Sequence, residues 1–195
     1  MTRVNHDMIA ATRLEQEKPV TSLFRRILSV SLVASLMFPA LSVAQQQAPK
    51  EVKGATHGDW QIVCLEGTEL CRMEQYGKSP QGERALLVRL QRVTGQEIKA
   101  PAVISMLAPP LVLLSFNLRA KIDNGEMKIL PFERCLPQGC LAAGPMSDAT
   151  VADLKKGTKM TVEFILEKRE NITVSLRGFT KAYNSLKPIQ AKATR

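Results

Sequence analysis

Histidine is nearly missing from this chain, with 2 in 195 residues, and only His57 lies beyond the N-terminal segment. A lone loop histidine reads as exposed filler rather than as a ligand or base. The 4 cysteines are spaced C-x6-C (Cys64, Cys71) and C-x4-C (Cys135, Cys140). Without paired C-x2-C spacing or a second histidine they do not make a zinc site, a C-x-x-C redox centre or a haem attachment. Aromatics are 5% of the chain, too few for a base-stacking platform, and export removes a nucleic-acid target as well. Nucleophile elbows, Ser-x-x-Lys sets, His-Glu metal motifs and phosphate loops are also absent. No catalytic residue, cofactor-binding residue or metal ligand is nominated. Glu163 and Glu167 fall on the polar side of a strand, where a solvated face explains them.

Carboxylates disappear toward the C-terminus: from Asn171 onward the acidic residues stop while Arg177, Lys181, Lys187, Lys192 and Arg195 continue. The chain as a whole carries +9. Such a tail is a solubilising feature, or a peripheral contact for anionic lipid or glycan.

Long apolar runs are confined to the N-terminus. Arg25-Arg26, the apolar run Ile27 to Phe38 and the small residues Ser42 and Ala44 form the three parts of a secretory signal peptide. Cleavage is expected after Ala44, which makes residues 1–44 a leader and starts the mature chain near Gln45. The neighbours of the arginine pair fit a twin-arginine signal poorly, so general secretion is the expected route. Gln45 to His57 reads as a flexible lead-in.

From Gly58 the pattern changes to alternation. Trp60, Ile62 and Cys64 share one face of a strand, and the tryptophan is expected to plug the core. Leu86, Val88 and Leu90 share a face of another. Ala102 to Leu107 and Leu111 to Phe116, split by Pro109-Pro110, are too short to span a membrane as helices and read as buried strands, with a membrane-dipping loop as the alternative. Asp123-Asn124-Gly125 separates two extended segments, Leu118 to Ile122 and Glu126 to Ile129, as a hairpin turn. Ser147 caps a short helix that runs to Lys156 and stops at Gly157, the one helix expected. Met160 to Leu166 and Ile172 to Leu176 alternate as a terminal hairpin turning at Arg169 to Asn171, and Gly178 to Tyr183 closes the domain. Residues 184–195 lack an apolar period and form a basic tail.

An even cysteine count in an exported chain implies a disulfide framework with three possible connectivities. Pro137-Gln138-Gly139 turns the chain so that Cys135 and Cys140 become cross-strand neighbours, and a hairpin likewise sets Cys64 opposite Cys71. Hairpin geometry therefore selects Cys64 with Cys71 and Cys135 with Cys140. Loops this short gain only about 2 to 2.5 kcal/mol each from cross-linking.

Gly58-Asp59-Trp60 with Cys64, the cysteine at 71, Ala108-Pro109, Lys121-Ile122-Asp123, Phe132-x-x-Cys135-Leu-Pro-x-Gly-Cys140 and Ser175-Leu-x-Gly-Phe179 together resemble the invasion-associated locus B family. The resemblance spans about residues 58–183. It implies an exported alphaproteobacterial envelope protein, mostly β, tied by name to host-cell entry and without established catalytic residues. The chain departs from the family after Pro110, where Leu-Leu-Ser-Phe116 replaces a Pro- or Gly-containing loop, and in its long N-terminus.

These readings converge on a mainly β single domain over residues 58–183, an antiparallel β-sandwich or compact barrel with one short helix and two local disulfides. The expected role is a non-enzymatic protein of the periplasm or outer-membrane surface that binds a protein, glycan or lipid of the envelope or host surface. A periplasmic hydrolase acting on carbohydrate or peptide is the alternative.

Overall fold

The structure, a computed structural model, describes residues 49–95 and 99–190. The leader at 1–44, the first residues of the lead-in and the end of the basic tail lie outside the described residues. The strands are β1 (Glu51–His57), β2 (Trp60–Leu65), β3 (Cys71–Lys78), β4 (Arg84–Thr94), β5 (Ala102–Ala108), β6 (Leu118–Ile122), β7 (Lys128–Leu130), β8 (Phe132–Leu136), β9 (Gly139–Met146), β10 (Lys159–Ile165), β11 (Arg169–Ser175) and β12 (Ile189–Gln190). Among the described residues two α-helices join them, α1 (Asp148–Lys156) and α2 (Phe179–Ser185).

The main path of the sheet runs β7-β6-β10-β11-β3-β4-β5-β9-β8. Its two ends are consecutive in the chain: only Pro131 separates β7, which pairs with β6, from β8, which pairs with β9. One stretch of chain therefore changes partners at a residue with no N–H to donate, and this brings the ends of the sheet together into a nearly closed antiparallel barrel. The alternating residues fill it. Met73, Leu86, Val88, Leu90, Val162 and Phe164 are buried, on strands whose outward neighbours are polar or half-exposed apart from Leu87, which is buried on the other face of β4.

Trp60 is buried as expected and lies beneath α2, where its ring meets Phe179. The helix α1 begins and ends where its caps place it. Ser147 accepts a bond from the Thr150 N–H, Asp148 sits in the first turn, Lys155 and Lys156 in the last, and the Gly157 N–H closes onto the Asp153 carbonyl.

Six segments fold otherwise than their sequence pattern predicts. The lead-in is not flexible over its whole length: Glu51–His57 forms β1, paired antiparallel with β2. It has almost no buried side chains, so it lacks the apolar alternation by which strands are recognised. It is held by the backbone ladder and by the Glu51 carboxylate, which accepts a 2.7 Å bond from Arg72. The segment Leu111–Phe116 is not a buried strand. Pro109 and Pro110 interrupt the ladder, Leu111 takes a left-handed φ of 70°, and the chain ends in one 3-10 turn at Leu114–Phe116. Gly178 to Tyr183 is not plain closing chain but enters α2, a second helix, whose N-cap Gly178 offers no side-chain acceptor to signal it. The basic tail is partly folded: Leu186 is buried and Ile189–Gln190 adds a parallel strand to β4. The last hairpin turns at Leu166 to Lys168, not at Arg169 to Asn171, since Asn171 is already paired with Glu163. The Asn-Gly hairpin is present, but its left-handed residue is Asp123 and its return strand starts at Lys128.

Candidate functional site

The barrel does not close along its whole length. The β8 ladder covers only the first half of β9, from Gly139 to Ala142. Beyond it, Ala143 to Met146 pairs with β5 on one side and has no described strand on the other. Leu130 at the end of β7 spans this seam by leaning on Gly144, where a Cβ would stand 2.9 Å from its methyl group. Next to that contact lies a recess of about 500 Å³, bounded by the β6–β7 hairpin, the open edge of β9 and helix α1. Such a volume falls within the usual range for small-molecule sites. Its floor is apolar and includes Met106, Met146, Met160 and Leu154, all buried. Its rim carries Glu126 and Lys128 from the hairpin and Asp153 and Lys156 from α1.

Asp123 also borders the recess but is already engaged. Its carboxylate accepts bonds from the Thr158 hydroxyl at 2.6 Å, the Thr158 N–H at 3.1 Å and the Lys159 N–H at 3.1 Å. These donors stabilise the ionised form and hold its pKa below the ordinary value, led by the Thr158 hydroxyl. Such a group is poorly suited to donate a proton. It fixes the hairpin to the start of β10.

A second feature sits at the end of the barrel where β5 meets the β8–β9 tip. Ala108 lies opposite Cys140, and the tip backbone approaches so closely that a Cβ on Gly139 would stand 2.2 Å from the Ala108 carbonyl oxygen. The chain then projects from the sheet as the Pro109–Leu114 loop. Leu111 is 91% exposed, Leu113 and Leu114 are 49% exposed, and Leu136 on the tip is 38% exposed. Three leucines exposed on one short loop give it an apolar surface of the kind that marks contact sites. The loop is held by a 2.7 Å bond from the Leu113 N–H to the Ile165 carbonyl. Phe116 at its end lies under the guanidinium groups of Arg119 and Arg169, 4.2 and 5.3 Å from the ring centre.

Both disulfides form as the hairpin argument selects. Cys64–Cys71 and Cys135–Cys140 join residues directly opposite in their ladders, with Cα separations of 4.0 and 3.9 Å. His57 ends β1, and its backbone rather than its ring makes the notable contact, against Gly178. Glu163 is turned toward Arg169, 3.5 Å away, whereas Glu167 lies in the turn beside Leu111. The structure does not draw this pair into the recess. The recess has no local sequence signature, because its walls come from β5, β6, β7, β9, β10 and α1. The Asn-Gly turn and the Ser147 cap mark two of its walls, without indicating that they face each other.

Fold and surface together define a disulfide-stapled, nearly closed β-barrel with an apolar recess at its seam and an apolar loop at one end. The family model described as Invasion associated locus B (IalB) protein matches residues 60–187. The chain belongs to this family. It is 32% identical over 140 residues to an invasion protein B homolog of Brucella abortus strain 2308, covering 69% of this chain and 79% of the homolog. A homolog from Brucella abortus biovar 1, strain 9-941, matches to the same extent. The crystal structure of invasion associated protein B from Bartonella henselae superposes with a TM-score of 0.57 at 24% identity, over 69% of this chain and 95% of that one. That likeness supports the fold.

Proposed function

We propose that this chain is an exported, non-enzymatic protein of the bacterial envelope that binds an envelope component or a host surface. The observation that carries the reading is the exposed leucine loop beside the Cys135–Cys140 tip, since a soluble domain gains nothing from presenting Leu111 at 91% exposure on a strained backbone. Export is supported by the signal-like leader and by cysteines that pair completely, as expected in an oxidising compartment. The relatives are named as invasion proteins, and contact with a host cell is the corresponding proposal for this chain.

Protease shaving combined with sedimentation tests both parts. The protein should be cleaved either on intact cells or once the outer membrane is opened. Purified protein should sediment with washed envelopes or host cells, and Leu111→Asp with Leu114→Asp should reduce that fraction. Protection after the outer membrane is opened would contradict export, and undiminished sedimentation of the variant would contradict the loop's role. Cleavage of intact cells would favour host contact over an internal envelope role.

A further inference from the structure

The recess at the barrel seam differs from the leucine loop in shape and in charge. We infer that it holds one acyl chain of a single-chain amphiphile with a zwitterionic head group. The recess is deep enough to have a buried floor, and that floor includes three methionines, Met106, Met146 and Met160. Unbranched thioether side chains adapt to a flexible hydrocarbon better than branched ones do. At the mouth, Ile129 is 61% exposed although it belongs to β7, and an inserted chain would cover it. The open edge of β9 leaves the entrance unblocked by a ladder strand, and Pro145 there has no N–H to recruit one.

The rim selects the head group. Lys128 and Lys156 offer positive charge to a phosphate, while Glu126 and Asp153 offer negative charge to an amine. Asp123, the third rim carboxylate, is occupied by Thr158 and Lys159 and is not counted. A free fatty acid brings only negative charge and would satisfy the lysines while facing the acids unpaired. A phosphoethanolamine or phosphocholine head carries both charges and matches both pairs.

This inference deepens the envelope-binding reading and rests on it for the ligand's source, but its test is made in solution. Failure of binding leaves the shaving result untouched. The mature protein, residues 45–195, is titrated below the micellar concentration with lysophosphatidylethanolamine and, separately, with dansyl-undecanoic acid as a chain with an anionic head. Stoichiometry is read by native mass spectrometry. A one-to-one complex with the lysophospholipid is expected, tighter than with the fatty acid.

Ala120→Phe fills the recess from β6, and Ile129→Glu puts a charge at its mouth on an exposed position that the fold does not need. Each should weaken binding about tenfold or more, while Ile129→Glu keeps the thermal midpoint of the parent. Glu126→Gln with Asp153→Asn should remove the preference for the zwitterion. No complex, or a complex indifferent to both Ala120→Phe and Ile129→Glu, would overturn the site. Equal affinity for the two amphiphiles would overturn the head-group assignment.

Discussion

The ring of Phe179 meets the indole of Trp60 edge-on, with centroids 5.4 Å apart and planes at 81°. This contact joins the second strand, β2, to the helix α2. Beside it, Arg177 clamps Asp59 through bonds of 2.6 and 3.2 Å, and the Asp59 N–H bonds the Arg177 carbonyl at 3.1 Å. The Gly58-Asp59-Trp60 and Arg177-Gly178-Phe179 segments, far apart in sequence, thus form one latch. Phe179→Ala should cost about 3 to 5 kcal/mol, the usual range for emptying a buried aromatic site. Urea unfolding measures it, and a loss near zero would show that the latch does not hold α2.

The latch depends on backbone proximity. Gly178 has φ 85°, and a Cβ there would stand 2.1 Å from the His57 carbonyl oxygen. Gly67 shares the left-handed backbone at φ 72° with open space around it. Gly67→Ala should therefore lose about 1 kcal/mol, the conformational penalty alone. Gly178→Ala should lose a further 1 kcal/mol or more, about 1 to 3 kcal/mol being usual for overpacking. Equal midpoints for the two variants would refute the close approach.

Each staple closes a short loop, so neither holds the domain together. Replacing Cys135 and Cys140 by alanine, or Cys64 and Cys71, should cost about 2 to 2.5 kcal/mol per pair and leave the protein folded. Unfolding of the two double variants measures this. A non-reducing peptide map should contain only the two local linkages, and a Cys64–Cys135 peptide would contradict the pairing.

Asp123 and Asp59, like Glu51 beside Arg72, are carboxylates whose ionised form the fold favours, and each adds an acid-sensitive contribution to stability. Thr158 bonding the ionised Asp123, and Arg177 bonding the ionised Asp59, hold both pKa values below the ordinary 3.8. A folded pKa below the unfolded one adds stability that is complete above the unfolded value and drains away as pH falls through the folded one. The gap in unfolding free energy between the parent and Asp123→Ala should hold steady from about pH 7 to 5 and shrink below about pH 4. A gap constant down to about pH 2 would show that the Thr158 bonds do not favour the ionised group.

Strands with one buried face were legible in the sequence because alternation and burial are the same fact seen twice, as in Leu86, Val88 and Leu90. The staples and α1 were legible because hairpin pairing and capping are local. Elements without a local signal were not. β1 is exposed and polar, α2 starts at a glycine, and β12 is two residues long. Leu111 to Phe116 has the composition of a core strand, but Pro109-Pro110 denies it a ladder and leaves its leucines outside. The recess was illegible for a different reason: it exists only where α1 and the β6–β7 hairpin meet across the unpaired half of β9.

Export of the stapled domain underlies the proposed envelope role. Intact-mass analysis of the protein isolated from the envelope fraction of its own cells tests it most directly. The expected result is a chain beginning near Gln45 with all of its cysteines oxidised. A full-length chain with free thiols, recovered from the cytoplasm, would contradict it.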